Sequence, residues 1–304
     1  MGAPVELLDP RNDFLFKRIF AAEDNRDLLL GLLNAVFVDA GQPPVAEVEL
    51  LNPAIDPTSL ADKLTILDIK ARTASGVLMD VEMQLTDQRN MAARTLYYWA
   101  KLFGQQLEPS AAYLALHKTV TINLLNFAYL PTAAAHSTFH LREDRRGDLL
   151  TDLCEVHFVE LPKVARMERA AASAALERWV LFFTLETLAQ REVLAMGDPV
   201  MQKAVNVLEF LSQDRKIRQQ YEDRQKGLRD LLSQRETGRE EGREEGREEG
   251  REEGREEGRE EGREEGRQNM LATARELLAM GMPREQVVRA TRLTMAEVEA
   301  LERA

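Results

Sequence analysis

Apolar residues recur at intervals of three and four near the start of the chain, which is the pattern of an amphipathic helix. The pattern runs from residue 12 to residue 37 and predicts a helix with a break near residues 23–25. The sequence AGQPP, at residues 40–44, contains the glycine and prolines that end helices.

Apolar and polar residues alternate in later segments, which predicts β-strands, and helical spacing returns between and after them. The predicted strands are VAEVELLN (45–52), a hairpin over 64–85 with Gly76 in its turn, AYLALHKTVTINLLNF (112–127), HSTFHLRED (136–144) and CEVHFVEL (154–161). The predicted helices cover residues 87–107 and, throughout, 168–235. This order predicts a mixed α/β core followed by a helical extension.

Residues 238–267 form a low-complexity segment of seven tandem GREE units followed by Gly-Arg. A glycine in a helix costs about 0.8–1.0 kcal/mol relative to alanine, and the repeat has no apolar seam of the coiled-coil kind. We therefore expect a solvated linker that is helical at best marginally. The alternative is a spacer or a rod for self-association.

Amphipathic periodicity returns in residues 268–304 and predicts three short helices, broken at 281–283 and 292–294. The spacing fits a helix-turn-helix, but Glu297, Glu299 and Glu302 on the last helix would repel phosphates. A docking or dimerising unit is therefore favoured over a DNA reader. The predicted domains are a core at 9–165, a helical extension at 166–237, the repeat linker or marginal helix at 238–267 and a small helical tail at 268–304.

The formal net charge of −12 excludes a polycation that binds nucleic acid non-specifically. The repeats contribute seven Arg and fourteen Glu, so the rest of the chain is only mildly acidic. One cysteine, Cys154, excludes an internal disulfide framework and suits a reducing compartment. The chain shows neither a signal peptide nor a long uncharged apolar run, so we expect a cytoplasmic protein without a membrane partner.

The predicted hairpin carries three carboxylates near one another. Because side chains alternate along a strand, Asp80, Glu82 and Gln84 share one face of the second strand. If the apolar residues of both strands share the other face, Asp68 joins this set and lies opposite Asp80 or Glu82, depending on the register. Opposed Cβ atoms are about 4.5–5.5 Å apart, a distance at which like charges destabilise a sheet.

Two interpretations of the carboxylates remain open from the spacing alone. Carboxylate oxygens suit a hard divalent ion such as Mg²⁺, which one or two carboxylates hold with waters completing the shell. The alternative is a solvated sheet face on which Lys70 and Arg72 pair with the acids across the hairpin.

Several motifs resemble those of the Rpn family of recombination-promoting nucleases and transposases, in the PD-(D/E)XK nuclease superfamily. They are NDFLFKRIF, LDIKARTASGVLMDVEMQ, RTLYYWAKLFGQQL, VTINLLNF and HFVELPK, within residues 9 to about 165, with a Gly/Glu-repeat tail. The resemblance implies a restriction-endonuclease-like α/β fold, with a mixed sheet flanked by helices. It also implies a metal-dependent DNA endonuclease that promotes recombination or DNA mobilisation.

Carried over by residue, the resemblance makes Asp68 and Glu82 the acids that bind Mg²⁺, or another divalent cation such as Mn²⁺. Gln84 stands where much of the superfamily has a lysine that orients or activates the nucleophile. Since glutamine cannot act as a charged proton acceptor, metal-bound water helped by another side chain would have to supply the nucleophile. Asp80 is outside the superfamily signature and is predicted to be a supporting or surface acid.

The helix after the hairpin would flank this site and contact DNA phosphate through Arg94 and Lys101, with Tyr98 between them as an auxiliary residue. For Lys101, a cation lying over apolar helix surface is an equally good interpretation. Asp13 and Lys17 on the first helix are further auxiliary candidates, although a simple i,i+4 ion pair between them is favoured.

The histidines His117, His136, His140 and His157 show no partners with zinc-ligand spacing. In a strand, His136 and His140 would lie on one face about 13 Å apart.

The function expected from the resemblance is a Mg²⁺-dependent DNA endonuclease, with homo-oligomerisation through the C-terminal helices. The alternative is a catalytically weak nuclease-like module for DNA binding or oligomerisation.

Overall fold

A computed structural model of the chain describes residues 6–55, 65–107, 110–164 and 172–303. The chain divides into two units, Met1–Arg224 and Gln225–Ala304. The helices and strands are α1 (Asp13–Phe20), α2 (Arg26–Asp39), β1 (Val48–Leu51), β2 (Ala54–Ile55), β3 (Thr65–Ile66), β4 (Ile69–Thr73), β5 (Leu78–Gln84), α3 (Met91–Gly104), β6 (Thr119–Leu125), β7 (His136–Arg142), β8 (Leu149–Glu160), α4 (Leu161–Val164), α5 (Ala174–Thr184), α6 (Leu188–Ala195), α7 (Pro199–Gln213), α8 (Arg215–Ala279), α9 (Arg284–Thr291) and α10 (Met295–Arg303). The finer division of the chain into four domains stays a prediction.

The first predicted helix is present, with its break. The side chain of Asn12 caps α1 by accepting a hydrogen bond from the Phe14 N–H at 3.1 Å. A short 3₁₀ turn over Glu23–Asn25 separates α1 from α2. Both helices bury their apolar face, as the spacing predicts.

Six strands form a mixed sheet in the order β1-β4-β5-β6-β8-β7. The pairs β5–β6 and β6–β8 are parallel, and the other three pairs are antiparallel. Helix α3 connects β5 to its parallel neighbour β6, as the geometry of a parallel pair requires. The predicted mixed sheet flanked by helices is confirmed.

The hairpin differs from the prediction at its first strand. Thr65 and Ile66 pair with Ala54 and Ile55 in a separate two-stranded sheet, so the hairpin strand β4 begins only at Ile69. Leu64, where the predicted hairpin starts, lies outside the described residues. A bend at Asp68 separates the two segments, and the backbone N–H of that residue bonds to a side chain of β5.

The turn of the hairpin requires a glycine, as predicted. Gly76 has a φ of +87°, which L side chains rarely adopt. A Cβ at this position would also lie 2.7 Å from the ring of His117. The Thr73 hydroxyl accepts a hydrogen bond from the Val77 N–H at 3.1 Å and closes the turn.

The main core lies on one face of the sheet, against α1, α2, α5 and α7. Its centre is a cluster of aromatic rings, with Phe20 and Trp179 5.6 Å apart and Phe20 and Phe183 5.8 Å apart. Helix α3 covers the other face, where Leu102 packs with Leu67 and Leu78. The site described below lies on this second face.

The helical extension is interrupted where the sequence predicted one continuous stretch. Thr187 begins α6 with a capping box, and Gly197 has a φ of +76°. Asp198 then caps α7, with Pro199 in its first turn. These capping signals outweigh the continuous helical periodicity. Residues 168–171 of the predicted stretch lie outside the described residues.

The GREE repeat lies within α8 and is helical, so the expectation of marginal helicity is wrong for this structure. Three of the four residues in each unit are strong helix formers, and each Glu240–Arg243 type pair at i,i+3 is favourable. All the glutamates and arginines of the seven units are exposed, as expected for a solvated segment. None of the described helices is long and apolar enough to cross a membrane.

The tail forms the three predicted helical segments, from the end of α8 through α9 and α10. Ala274, Val287, Leu293 and Val298 are buried together in a small separate core. Arg292 ends α9 with a φ of +60°, and the Thr294 hydroxyl accepts from the Glu297 N–H at 3.3 Å. The Glu297 carboxylate in return accepts from the Thr294 N–H at 2.8 Å, so both side chains cap the start of α10.

A chain of polar side chains is buried on the core face of the sheet. Asp39 Oδ2 lies 2.7 Å from His136 Nδ1, and His136 Nε2 lies 2.9 Å from His157 Nδ1. His157 Nε2 lies 2.6 Å from Glu155 Oε1. The other oxygen of Glu155 contacts His140 Nε2 at 2.8 Å. β7 and β8 thus bring three histidines together with Glu155 and with Asp39 of α2, as hydrogen-bond partners that the sequence pattern did not indicate.

Hydrogen bonds stabilise the charged form of the Glu155 carboxylate. Burial alone would raise its pKa, but hydrogen bonds from His157 and Lys118 outweigh burial and hold the pKa far below its ordinary value. Lys118 Nζ lies 2.6 Å from Glu155 Oε2. Burial also lowers the pKa of His157 despite its bond to Glu155.

We predict that Glu155→Gln lowers the free energy of unfolding at pH 7 by about 3–5 kcal/mol, because the partly exposed Lys118 and the buried His157 lose their carboxylate partner. Since the folded pKa of Glu155 is depressed, its contribution is present above the unfolded pKa and is lost as the pH falls below it. The deficit of the variant should therefore narrow between pH 7 and about pH 3.

Denaturant unfolding followed by tryptophan fluorescence measures this difference in the first unit, where both tryptophans, Trp99 and Trp179, lie. Glu192→Gln, at an exposed position of α6, is the matched control and should leave stability unchanged at both pH values. If Glu155→Gln lowers the free energy of unfolding equally at pH 7 and at pH 3, the depressed pKa of Glu155 is contradicted.

Candidate active site

The register of the β4–β5 hairpin places Asp68 and Glu82 opposite each other. Ile69 pairs with Val81, so the next residues outward are cross-strand neighbours as well. The Asp68 N–H donates to Glu82 Oε1 at 3.0 Å, and the Met83 N–H donates to Asp68 Oδ2 at 3.0 Å. Each carboxylate is thus held by the backbone of the opposite segment.

A cation from a different helix contacts each member of the pair. Lys17 Nζ, from α1, lies 2.8 Å from Asp68 Oδ1. Arg94 Nη2, from α3, lies 3.2 Å from Glu82 Oε2. Both carboxylates are largely buried and both cations are partly exposed. Lys17 and Arg94 therefore offset the repulsion between the two carboxylates.

Gln84 joins the same cluster. Its Nε2 donates to Glu82 Oε2 at 3.1 Å, and its Oε1 accepts from Arg94 Nη1 at 3.3 Å. The Arg94 guanidinium also lies over the Tyr98 ring, 5.1 Å from its centroid. Gln84 and Tyr98 thus fix the position of Arg94, and Arg94 fixes Glu82.

Asp80 is buried beneath this cluster, so of its two predicted roles, a supporting or a surface acid, the surface role is wrong. It lies next to Lys70 in the β4–β5 register and next to Thr121 in the β5–β6 register. Burial, and then the charges of Glu82 and Asp68, raise the pKa of Asp80 well above its ordinary value. Among the described residues, Asp80 Oδ1 and Thr121 Oγ1 are two of the buried side-chain atoms without a hydrogen-bond partner.

The two added cations only partly offset the negative charge of the cluster. Burial, and next the charge of Asp68, raise the pKa of Glu82 to about 7, although the Asp68 N–H, Arg94 and Lys17 act in the opposite direction. The negative charge of Asp68 contributes to this shift, and the same charge would attract a metal cation.

The donor set fits a hard divalent ion. Asp68 and Glu82 supply carboxylate oxygens from two adjacent segments, and Mg²⁺ is bound by one or two carboxylates with waters. The unpartnered Asp80 Oδ1 adds acceptor capacity beneath them. Within the described part of the chain, no three or more His, Cys, Asp or Glu side chains form a preformed metal cage. The pair with waters is therefore the arrangement that the residues suit.

The other predicted residues lie at the edge of this cluster. Lys101 Nζ is 5.7 Å from the centroid of the Tyr97 ring on α3. Asp13 pairs with Arg224 at 2.9 Å, and Lys17 pairs with Asp68. The predicted Asp13–Lys17 ion pair is therefore wrong, because each side chain finds a partner on another element.

Lys17 is the site residue whose partner the sequence misidentified. Its spacing from Asp13 indicates a local pair, and no pattern in the sequence links α1 to a strand 51 residues later. The contact arises because α1 packs near β5 at the end of the sheet that carries the carboxylates.

Comparison with known proteins identifies the family of the chain. The family model described as PD-(D/E)XK nuclease family transposase matches residues 10–238, which include the whole cluster. No curated protein and no solved structure matches the chain significantly.

We predict that the metal-free protein loses stability as the pH rises from about 4.5 to about 7, in part because of Glu82. A folded pKa raised to about 7 means that the folded state binds the Glu82 proton more tightly than the unfolded state does. The stabilisation is thus present below the unfolded pKa and is lost as the pH rises through the folded one.

Glu82→Gln should remove the part of this loss of folding stability that Glu82 causes, which is on the order of 2–3 kcal/mol. Denaturant unfolding in the presence of a chelator, at several pH values between 5 and 8, measures the effect. Asp152→Asn, an exposed carboxylate on β8, serves as the control. An equally steep decline in Glu82→Gln would show that the titrating group lies elsewhere.

Proposed function

The chain belongs to the PD-(D/E)XK nuclease family of transposases, and we propose that it is a metal-dependent DNA endonuclease that hydrolyses phosphodiester bonds. The family supports a nuclease with a restriction-endonuclease-like fold and a DNA substrate. Metal dependence and endonucleolytic cleavage are the proposed steps beyond the family.

One observation carries the proposal: Asp68 and Glu82 are tied together at 3.0 Å through the Asp68 N–H. Two largely buried carboxylates on facing segments repel each other and destabilise the fold unless a cation offsets their charge or they have a function. Their placement at adjacent strand positions, with Lys17 and Arg94 in contact, supports a site that handles a phosphate anion and a metal cation together.

Asp68 and Glu82 would hold Mg²⁺ or Mn²⁺. When bound, such an ion lowers the pKa of a coordinated water and stabilises charge on the phosphate. Arg94 would contact a phosphate oxygen through a guanidinium that Gln84 and Tyr98 already orient. Gln84 would position water through an amide that both donates and accepts hydrogen bonds. Lys101, further along α3, would contact a neighbouring phosphate.

Lys17 carries the positive charge that Gln84 lacks. Glutamine at position 84 cannot act as a charged group, whereas the Lys17 ammonium lies 2.8 Å from Asp68 Oδ1. We propose that Lys17, brought by α1, supplies the amine that orients the attacking water. Asp13 would act only indirectly, through its ion pair with Arg224.

The biological role proposed is the promotion of recombination or DNA mobilisation in the cytoplasm. The family description as a transposase supports a role in DNA mobilisation. We also propose that the C-terminal helices form a homo-oligomer, since α9 and α10 pack on the end of α8 in a small core of their own.

The second candidate function is a catalytically weak nuclease-like module that binds DNA or oligomerises. Gln84 favours it, because a glutamine replaces the charged residue that much of the superfamily carries there. The two functions differ in whether the bound DNA is cut.

We predict that the purified protein nicks plasmid DNA with Mg²⁺ and that a chelator stops the reaction. Asp68→Asn and Glu82→Gln should each lower the rate by about 100-fold or more, because each removes a charged metal ligand without changing side-chain size. Supercoiled plasmid conversion on agarose gels measures the rate.

Asp152→Asn is the matched control, since it removes an exposed carboxylate from β8 and should leave nicking unchanged. Equal DNA binding by wild type and both site variants, with no nicking by any of them, would favour the weak module instead.

We also predict that calorimetric titration detects Mg²⁺ or Mn²⁺ binding to the wild type, and that Glu82→Gln weakens it by at least tenfold. The loss of one negative oxygen ligand is the physical reason. Because the metal competes with the Glu82 proton, the wild-type affinity should rise between pH 6 and pH 8, whereas the affinity of Glu82→Gln should change less.

A further inference from the structure

A cavity of about 350 Å³ opens beside the candidate metal-binding carboxylate Asp68. It is formed by α1, β1, β4 and the first part of α8, and its floor is apolar. Its charged and aromatic lining residues are Phe14, Lys17, Arg18, Asp68, Lys70 and Arg224. Four of these six carry a positive charge, in a chain whose net charge is −12.

One aromatic ring holds two of the cations at the mouth of the cavity. The guanidinium carbon of Arg18 lies 5.2 Å from the centroid of the Phe14 ring, and that of Arg224 also lies 5.2 Å from it. Two guanidinium groups on one ring are therefore no further apart than twice this distance. Their stacking on the ring limits the conformations that each side chain samples.

Carboxylates pair with two of the cations that line the cavity. Lys17 pairs with Asp68, and Arg224 pairs with Asp13. Arg18 is exposed and, among the described residues, has no carboxylate partner. A bound anion would therefore neutralise the charge of Arg18, which no carboxylate of the described residues offsets.

The neighbouring surface continues the cavity as a polar groove. Lys70 and Leu51 line both the cavity and a second depression of about 650 Å³, whose other residues include Arg72, Gln105 and Gln106. Arg72 pairs with Glu49, but the cavity itself is lined by the cations Lys17, Arg18 and Arg224 and continues into this polar groove. Such a surface suits a phosphodiester backbone, because the backbone presents anions at regular intervals.

We propose that this cavity is a second phosphate subsite, which binds a backbone phosphate of the DNA strand adjacent to the bond that is cut. The proposal rests on the nuclease function proposed above. Arg18 is the main ligand, Phe14 orients it together with Arg224, and Lys70 continues the path into the polar groove. The subsite binds phosphate and reads no base, so it contributes affinity that depends on salt and not on sequence.

The test compares Arg18→Gln with Arg146→Gln in the full chain. Arg146 is an exposed arginine in the β7–β8 turn, so its substitution changes the net charge equally at a distant place. Fluorescence anisotropy with a labelled DNA duplex, in a chelator that prevents cutting, gives Kd between about 50 and 200 mM salt. Plasmid nicking with Mg²⁺ gives kcat and KM for the same proteins.

We expect Arg18→Gln to raise Kd about tenfold and to reduce the slope of log Kd against log salt by about one. KM should rise with kcat unchanged, since Arg18 binds a phosphate that does not react. Arg18→Lys should recover most of the affinity, and Arg146→Gln should match the wild type.

The subsite is overturned if Arg18→Gln binds DNA like the wild type, or if Arg146→Gln loses as much affinity as Arg18→Gln. It is also overturned if Arg18→Gln lowers kcat without changing Kd. In these cases a wild type that cuts DNA leaves the proposed function intact. A wild type that neither binds nor cuts DNA overturns the proposed function and the subsite together.

Discussion

Two hydrogen bonds tie Asp68 to β5, from its N–H to Glu82 and from the Met83 N–H to its carboxylate, and both depend on the register of a single antiparallel hairpin. Since side chains alternate along strands, a slip of one residue would move Glu82 to the apolar face and Val81 to the polar one. Gly76 prevents such a slip, because its positive φ and its contact with His117 fix the turn. The geometry of the site therefore follows from a backbone constraint several residues away.

The pKa values of the buried acids are shifted in opposite directions on the two faces of the sheet. On the core face, hydrogen bonds to Glu155 from His157 and Lys118 outweigh the cost of burial, and the pKa of Glu155 is lowered. On the α3 face, burial and neighbouring carboxylates prevail, and the pKa of Glu82 is raised to about 7. Glu155 is thus satisfied within the fold, whereas the cluster around Glu82 retains a demand for positive charge.

Local sequence signals predicted helices and turns correctly where no tertiary contact opposed them. The break at residues 23–25, the turn at Gly76 and the tail helices follow from capping, glycine and periodicity. The prediction failed where a local pattern had a stronger tertiary competitor. Asp13 and Lys17 have the spacing of a helix pair, yet Arg224 and Asp68 are their partners, because packing of α1 brings these residues within reach.

The sequence by itself determined the mixed α/β architecture and the shared face of Asp68, Asp80, Glu82 and Gln84, because alternation and turn residues act within a few positions. Only the tertiary structure decided that Asp68 opposes Glu82, that Asp80 is buried, and that Lys17, Arg18 and Arg224 gather beside them. Those contacts join α1, β4, β5 and α8, which are distant along the chain. No periodicity encodes such contacts, since they depend on how the elements pack.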